Sequence, residues 1–544
     1  MNHKLAIIGF DGATFDLILP WVQQGHLPNF KRLLEEGAHG PLASTIHPLS
    51  PQAWSTFSTG KNAGKHGIFD FVAKKPGSYQ FALTQGGLRQ AESVWQILSR
   101  AGRRVVVLNV PFTYPPNPVN GVMISGFDAP RADDSFCHPP HIYRQVKQAI
   151  GQYFLHDMYP VGRRKADYEQ VLRAEVQNRV AATRYFAQQT AWDFFMVVVN
   201  ATDLVQHLFW ADMQTPAGPY RDVILHVYQE VDAALGEFQS ILGHDVTMLV
   251  VSDHGAGAIE KSVNLNEWLR RQGWLAFRQD TTSTGRKAAS KTINAGRVAM
   301  KRYLPRPLKN WLKQRIPGLR NRVESWLQHS NIDWDTTRAF SGGNFGNIYL
   351  NLRGREPQGI VSPGPEQETL LAEISAALLA LQDPDTGEPV VARVHRREAL
   401  YSDPHLNLAP DLIIEWRDYA YFVSPSFSGG GGQVFGPPPR EDATEFDHSG
   451  THRVNGIFLA TGPNIKPGPL NGLRIADVAP TVLHACGLPV PRDMDGQVAQ
   501  ALFKTPRPVA FADPTGPQTP TGTVFSEADE ADMAARLRSL GYLE

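Results

Sequence analysis

Carboxylate and imidazole side chains follow three apolar segments of the 544-residue sequence. Asp11, Asp203 and the pair Asp253-His254 each come just after such a segment, where the chain turns polar. In an open parallel sheet, ligands bind outside the carboxyl ends of the strands, so these side chains are predicted to converge on one edge. A single aspartate in this position is typically a helix cap. Three such positions, one of them with an adjacent histidine, favour a metal site instead.

His207 follows Asp203 by four residues. If the chain is helical there, the carboxylate and the imidazole lie on one face and can hold the same cation. Oxygen and nitrogen ligands of this kind suit zinc, with manganese and iron as alternatives. His452, taken alone, is predicted to be an ordinary histidine of the surface or the core.

Ser50 is a candidate nucleophile in the segment Ile46–Trp54. A helix is predicted over Trp54–Thr59, ending at Gly60. A hydroxyl at a helix N-terminus meets free backbone N–H groups that favour an anion. The alternative is that Ser50 caps this helix, with Pro51 at its first position. Four nearby hydroxyls are predicted to pack within the helix: Ser55, Thr56, Ser58 and Thr59.

The elements that must position these residues are short strands and longer helices in alternation. Apolar residues spaced by three and four predict helices over Asp167–Gln189 and Tyr220–Leu242. Short continuous apolar runs predict strands buried on both faces. This alternation predicts an α/β fold with a doubly wound, mostly parallel central sheet and helices on both faces. The apolar runs are Leu5–Ile8, Val105–Val110, Phe194–Val199, Val246–Val251 and Ile457–Ala460.

The composition excludes several classes of protein. Lys and Arg total 53 and balance 53 Asp and Glu, so a chain-wide nucleic-acid binder is disfavoured. Two cysteines, Cys137 and Cys486, exclude a disulfide scaffold and a cysteine-based zinc site. The N-terminal apolar run is too short for a signal peptide, and the sequence has no run long enough for a transmembrane helix. A cytoplasmic location is therefore predicted.

The α/β pattern is interrupted once and is followed by a tail. Residues 1–270 are predicted to form the first part of the core, and residues 335–504 the second part, which includes His452. Residues 271–334 between them are predicted to be a basic helical insertion. Residues 505–544 form a Pro/Thr-rich C-terminal tail that ends in a short predicted helix.

The insertion is strongly basic. Residues 281–323 contain 12 Lys and Arg and neither Asp nor Glu. One interpretation is a solvated helical segment that covers the site. The other is docking on an anionic membrane surface, with Trp311 and neighbouring leucines in the interface. Peripheral membrane contact of this kind would bring a lipid phosphodiester to the site.

An ordered set of short motifs resembles the alkaline phosphatase superfamily, and within it the type I phosphodiesterase/nucleotide pyrophosphatase family. The resemblance covers about residues 4–260 and 335–500, and it is specific as a set, although none of the motifs is decisive alone. The motifs are Gly9-Phe10-Asp11-Gly12, Pro48-Leu49-Ser50, Ser58-Thr59-Gly60, Gly64-Lys65-His66-Gly67-Ile68, Asp203-Leu204-Val205-Gln206-His207, Val251-Ser252-Asp253-His254-Gly255, Gly450-Thr451-His452-Arg453, Ala476-Asp477-Val478-Ala479-Pro480-Thr481 and Asp493-Met494-Asp495-Gly496.

The resemblance implies two divalent ions of zinc type. The first ion would be held by Asp203, His207 and His452. The second would be held by Asp11, Asp253 and His254, with the Ser50 hydroxyl as the fourth ligand. In such a site Ser50 attacks phosphorus and forms a phosphoseryl intermediate. His448 competes with His452, but only His452 has the Gly-x-His context of the motif, so His448 is predicted to lie on the surface.

The sequence departs from the family at positions that bear on the substrate. Many phosphodiesterase members have Asn three residues after the nucleophile, whereas this chain has Ala53. Neither Lys nor Arg occurs between Ser50 and Lys61, which favours diesters over monoester dianions. Gln52 and Trp54 stand where sulfatases need Pro and Arg, so sulfatase activity is not expected.

Two residues are candidate substrate contacts. Trp54 either stacks on a ring of the leaving group or packs in the core, as aromatic residues mostly do. Asn344 either lines the pocket or belongs to a turn.

The sequence thus predicts a metal-dependent phosphodiesterase or nucleotide pyrophosphatase acting on a small phosphodiester, a nucleotide or a lipid phosphate. A phosphomonoesterase or phospho-group transferase of the same superfamily is the alternative within enzymes. An alternative of another class is a non-catalytic protein that binds phosphorylated ligands or membranes. No nucleic-acid polymer is expected as partner.

Overall fold

The computed structural model describes residues 4–160, 163–278, 332–402, 404–424, 432–438, 446, 448–514 and 525–538. The described strands are β1 (Leu5–Phe10), β2 (Ala38–Ala43), β3 (Val72–Lys74), β4 (Phe81–Leu83), β5 (Val105–Val110), β6 (Gly121–Ser125), β7 (Cys137–His138), β8 (Phe194–Val199), β9 (Thr247–Val251), β10 (Gly255–Ala258), β11 (Lys261–Asn264), β12 (Ala339–Gly342), β13 (Asn347–Leu350), β14 (Val391–Arg396), β15 (Leu412–Trp416), β16 (Tyr421–Ser424), β17 (Phe435–Gly436), β18 (Gly450–Arg453), β19 (Asn455–Thr461), β20 (Gly468–Pro469), β21 (Leu473–Arg474), β22 (Val490–Pro491) and β23 (Phe511–Ala512).

The described helices fill the connections between these strands. They are α1 (Phe15–Gln23), α2 (Pro28–Glu36), α3 (Ser50–Thr59), α4 (Ala63–His66), α5 (Val94–Arg100), α6 (Ile142–Ile150), α7 (Lys165–Gln189), α8 (Ala201–Gln214), α9 (Val223–Leu242), α10 (Leu265–Arg271), α11 (Pro365–Leu379), α12 (Arg397–Leu400), α13 (Val478–Ala485) and α14 (Glu527–Arg538). None of these helices is long and apolar enough to cross a membrane.

The main sheet has the order β20-β2-β19-β9-β1-β8-β5-β6-β7, with β21 beside β2. Its centre, β9-β1-β8-β5-β6, is wholly parallel. The predicted strand at Ile457–Ala460 is present as β19, but it runs antiparallel to β9 and β2. The prediction of a mostly parallel α/β sheet is therefore confirmed.

Both faces of this sheet are buried, because alternate residues of the central strands belong to two separate hydrophobic clusters. Ile8 and Val197 pack on one face with α7 and α9, whereas Ile7 and Val198 pack on the other with α3 and α13. A strand buried on both faces needs apolar side chains at every position, which explains the continuous apolar runs. The prediction of helices on both faces is confirmed.

Smaller sheets, formed mostly by strands of the second half of the chain, lie near the carboxyl ends of the strands of the main sheet. Strands β12-β13-β15-β14 form one, β16-β11-β17 another, and β10 pairs with β18 in a third. The last pairing aligns Ala256 with His452, so it joins regions nearly two hundred residues apart in sequence. It brings His452 to the end of β9, where the predicted ligands lie.

The predicted insertion and tail are described only in part. Residues 281–323, with the basic stretch and Trp311, lie outside the described residues, so neither interpretation of this stretch is tested. At the base of the insertion, Phe277 pairs with Ile332. The short helix predicted in the tail is α14, and Met533 and Leu537 from it are buried in the main core.

Asp232 on α9 accepts hydrogen bonds from free backbone N–H groups at the N-terminus of α2. Its carboxylate accepts hydrogen bonds from the backbone N–H of Phe30 at 2.8 Å and of Asn29 at 3.1 Å. Since the residue before α2, Leu27, provides no side-chain cap, this contact between helices replaces one.

We therefore expect Asp232→Ala to lower the free energy of unfolding by about 1–3 kcal/mol, because buried N–H groups lose their acceptor. The midpoint of thermal unfolding measures this change. Asp222→Ala is the matched control: Asp222 is exposed at the start of the same helix and its side chain makes no capping hydrogen bond. Equal effects of the two substitutions would contradict the interpretation.

Candidate two-metal active site

Asp11, Asp203 and Asp253 come together at the carboxyl ends of three adjacent parallel strands. β1 lies between β8 and β9 in the sheet, and each strand ends one to four residues before its aspartate. All three carboxylates are buried, at 1%, 8% and 0% exposure respectively. The convergence predicted from the sequence is confirmed.

Asp203, His207 and His452 form the first group of potential metal ligands. Asp203 and His207 lie one turn apart on α8, with Asp203 Oδ1 3.2 Å from His207 Nε2. The same oxygen is 3.6 Å from His452 Nε2, and the two Nε2 atoms are 3.0 Å apart. The helical spacing predicted for Asp203 and His207 is confirmed. His452 lies beside them, where the family resemblance puts it, although its residue type alone did not indicate this.

Asp11, Asp253 and His254 form the second group. His254 Nε2 is 3.3 Å from Asp253 Oδ2 and 3.6 Å from Asp11 Oδ1. The His254 and His452 rings stack with their centroids 3.6 Å apart, so the two groups adjoin. In each group, one ligand atom per residue lies within 4.8 Å of the others.

Backbone carbonyls fix the tautomer of all three histidines. The Nδ1 atoms of His207, His254 and His452 lie 2.9, 3.0 and 2.6 Å from the carbonyl oxygens of Gly450, Gly255 and Pro48. A carbonyl oxygen only accepts hydrogen bonds, so each Nδ1 carries the proton and each Nε2 presents a lone pair to the cluster. Two neutral Nε2 atoms 3.0 Å apart repel each other unless a cation or proton lies between them.

Each carboxylate also presents one oxygen to the cluster, and the other oxygen of Asp11 and of Asp253 accepts hydrogen bonds from the protein. Asp11 Oδ2 accepts hydrogen bonds from Trp54 Nε1 at 3.1 Å and Asn200 Nδ2 at 3.2 Å, and Asp253 Oδ1 accepts one from the Gly12 N–H at 3.2 Å. The remaining oxygens face the cluster and accept no hydrogen bond from any described residue. They are Asp11 Oδ1, Asp253 Oδ2 and Asp203 Oδ1.

When no cation is bound, burial and neighbouring charges shift the pKa values of the residues in the cluster. Burial, with the nearby charge of Asp203, raises the pKa of Asp253 to about 7, and burial together with Asp253 raises the pKa of Asp11 well above its usual value. Burial also opposes ionisation of Asp203, but when no cation is bound the positive charge of a protonated His207 outweighs it and lowers the Asp203 pKa. Burial and His254 lower the pKa of His452. Uncompensated buried carboxylates with free oxygens and inward imidazole lone pairs fit divalent cations.

Ser50 stands beside the second group. It is buried, and its Oγ lies 3.3 Å from His254 Nε2. The predicted helix is longer than expected: α3 begins at Ser50 rather than Trp54, and the residue before it is Leu49. Ser50 is therefore the first residue of the helix and does not cap it. Its hydroxyl is directed to the ligand cluster.

Trp54 and Asn200 hold Asp11 in place. Trp54 is 1% exposed and is bonded to Asp11, so the structure places it in the core and not on a surface open to a substrate ring. Asn200, which the sequence analysis missed, donates to Asp11 and in turn accepts a hydrogen bond from Asn109 Nδ2 at 2.7 Å. Its position directly after β8 was the available signal.

Asn344 and His448 lie on the other side of His207. The Asn344 backbone N–H and side-chain amide both donate to Asp70 at 2.7 Å, and Asn344 lines a small cavity together with His207 and His448. His448 is buried, with its ring centroid 6.1 Å from that of His207, so the prediction of a surface position is wrong. The backbone hydrogen bond from Ser449 N–H to the His207 carbonyl draws this segment inward.

Trp54→Phe should weaken zinc binding to the second group about 10- to 100-fold, because it removes a hydrogen bond that orients Asp11. Competition with a chromophoric chelator measures the affinity. Trp95→Phe is the matched control, since Trp95 is also fully buried but donates to Asn117, away from the cluster. A similar loss of affinity in both variants would argue that the indole has no specific role at the site.

The chain matches a known protein family in sequence and is similar to solved structures. The family model for type I phosphodiesterase / nucleotide pyrophosphatase matches residues 5–449. Among solved structures, phosphonoacetate hydrolase from Sinorhizobium meliloti 1021 in complex with phosphonoacetate has 15% identity and a TM-score of 0.51, over 89% of this chain and 95% of that one. Human ectonucleotide pyrophosphatase / phosphodiesterase 5 has 13% identity and a TM-score of 0.48, over 92% and 100%. The chain is therefore a hydrolase that belongs to the type I phosphodiesterase/nucleotide pyrophosphatase family.

Proposed function

We propose that this protein hydrolyses phosphodiesters through Ser50 at a site that holds two divalent cations. The observation that carries the proposal is the position of the Ser50 hydroxyl, 3.3 Å from His254 Nε2 and beside three aspartates that each leave one carboxylate oxygen without a hydrogen bond from a described residue. Asp203, His207 and His452 would hold one cation. Asp11, Asp253 and His254 would hold the other, with Ser50 as a further ligand. Zinc suits this donor set, and manganese and iron are alternatives.

Ser50 is placed for nucleophilic attack. Two bound cations would lower the pKa of its hydroxyl and neutralise charge on the phosphoryl oxygens. In the first step the Ser50 hydroxyl gives up its proton to solvent, the Ser50 Oγ–phosphorus bond forms, and the bond from phosphorus to one ester oxygen breaks. That oxygen takes a proton from solvent and leaves as the alcohol. In the second step water attacks the phosphoserine, which regenerates Ser50 and releases a phosphomonoester.

The surroundings of Ser50 favour a substrate with one negative charge. A cavity beside Ser50 is lined by Asp11, Asn200 and Asp203, and neither Lys nor Arg is among the described residues that line it. The second negative charge of a monoester dianion would therefore have no cationic side chain of the lining to pair with, whereas the two cations alone would neutralise the single charge of a diester. Ala53 on α3 provides no polar group, so Asn200 is the side-chain amide that lies beside the phosphoryl site.

The alternatives follow from the same site. A phosphomonoesterase or phospho-group transferase would use the same cations and the same serine. A non-catalytic binding protein has no need for the complete set of six ligands and a hydroxyl, which the chain retains. We place the protein in the cytoplasm, and we include peripheral membrane contact through residues 281–323 as part of the proposal for lipid phosphodiesters.

We expect zinc- or manganese-loaded protein to hydrolyse bis-p-nitrophenyl phosphate faster than p-nitrophenyl phosphate. Ser50→Ala should lower diester turnover by at least about a hundredfold, because the nucleophile is lost. Release of p-nitrophenolate measures both rates. Ser58→Ala is the matched control, since Ser58 is buried on the same helix but its hydroxyl donates to the Ser55 carbonyl.

Three results would contradict parts of the proposal. Undiminished turnover by Ser50→Ala would exclude the serine mechanism. Faster turnover of the monoester would move the function to a phosphatase. Absence of turnover together with absence of bound metal would favour the binding protein.

A further inference from the structure

The C-terminal helix α14 is attached to the core close to the active site. Phe525, just before it, stacks on Tyr114 with ring centroids 6.1 Å apart. Ser526 and Asp529 exchange hydrogen bonds that fix the start of the helix, and Arg131 lies 3.4 Å from the Asp529 carboxylate. These contacts hold the helix in one position against the first half of the chain.

One side chain of this helix reaches the cavity beside Ser50. Leu537 is 3% exposed and lines that cavity together with Ser50 and Asp203. Met533, one turn earlier on the same face, is also buried in the core but does not line the cavity. The last described turn of the chain therefore contributes to the wall of the active site, although it lies more than 280 residues after His254 in the sequence.

The cavity is lined by two chemically different sets of side chains. The polar set consists of Asp11, Ser50, Asn200 and Asp203. The apolar set, which we call the apolar wall, includes Phe71, Phe127, Met158 and Leu537, together with the ring of Tyr159. A phosphoryl group bound beside Ser50 would therefore have apolar side chains near its ester groups.

The apolar wall limits which substituent is favourable. An aryl or alkyl group placed there loses its own apolar contact with water, whereas the lining side chains are already buried in the protein. A second phosphate or another charged group would have to lose its hydration against apolar side chains, without a described Lys or Arg in the lining to compensate.

We propose that Leu537 is a specificity-determining residue, and that α14 forms the wall which accepts an apolar ester group of the phosphodiester. This inference rests on the proposed function for its substrate class. It assigns to the C-terminal helix a direct contact with the substrate, beyond the packing of the helix on the core.

Binding without turnover tests the inference. In the zinc-loaded Ser50→Ala full-length protein, calorimetry compares diphenyl phosphate with dimethyl phosphate. We expect tighter binding of diphenyl phosphate, and Leu537→Ala added to this background should weaken it about tenfold while dimethyl phosphate and the zinc content stay unchanged. Met533→Ala is the matched control, because it truncates a buried side chain on the same face and should change the affinity less than twofold.

Several outcomes would overturn the inference. Equal affinity for the two diesters would show that the apolar wall does not contact the ligand. Equal losses in Leu537→Ala and Met533→Ala would mean that only docking of the helix matters. When Leu537→Ala is made in the protein that retains Ser50, faster hydrolysis of both diesters would mean that Leu537 obstructs the site instead of recognising the substrate.

Failure of the inference and failure of the proposed function give different results. If bis-p-nitrophenyl phosphate is not hydrolysed but the Leu537-dependent preference in binding is present, the catalytic proposal fails and the contact stands. If hydrolysis of bis-p-nitrophenyl phosphate depends on Ser50 but diphenyl phosphate and dimethyl phosphate respond alike to Leu537→Ala in binding, the contact fails and the catalytic proposal stands.

Discussion

Mutual repulsion among three buried carboxylates is the constraint on which the site depends. Two unit charges 4 Å apart interact by about 4 kcal/mol at an effective dielectric constant of 20, and burial adds the cost of lost hydration. The protein leaves one oxygen of each aspartate without a described hydrogen-bond donor and turns three imidazole lone pairs toward them. Bound cations would offset this repulsion, and the parallel strands, α8 and the β10–β18 pair are the elements that hold the candidate ligands together.

Local sequence signals predicted the ligands that parallel-sheet geometry brings together. Asp11, Asp203 and Asp253 follow central strands, and the carboxyl ends of neighbouring parallel strands necessarily meet at one edge. His207 follows from helical spacing alone. His452 does not, because its position depends on an antiparallel pairing with β10 that links distant parts of the chain. Only the resemblance to a family placed it correctly before the structure did.

Contacts between distant parts of the chain also explain where the sequence-based predictions fail. The motif position of His448 predicts a surface residue, whereas a backbone hydrogen bond between Ser449 and His207 draws it inside. The alternatives for Trp54 could not be separated without knowing that its N–H reaches Asp11. The role of α14 was equally inaccessible, because an amphipathic segment shows that it buries a face but does not show which cavity that face closes.

The central claim is that six side chains hold two cations, three ligands to each. The most direct test is a crystal structure of the zinc-loaded full-length protein, with anomalous scattering recorded on both sides of the zinc absorption edge. The account predicts two zinc peaks, one within about 2.0–2.2 Å of the Asp203, His207 and His452 ligand atoms and one at the same distances from Asp11, Asp253 and His254. A single peak, or zinc bound away from these residues, would contradict it.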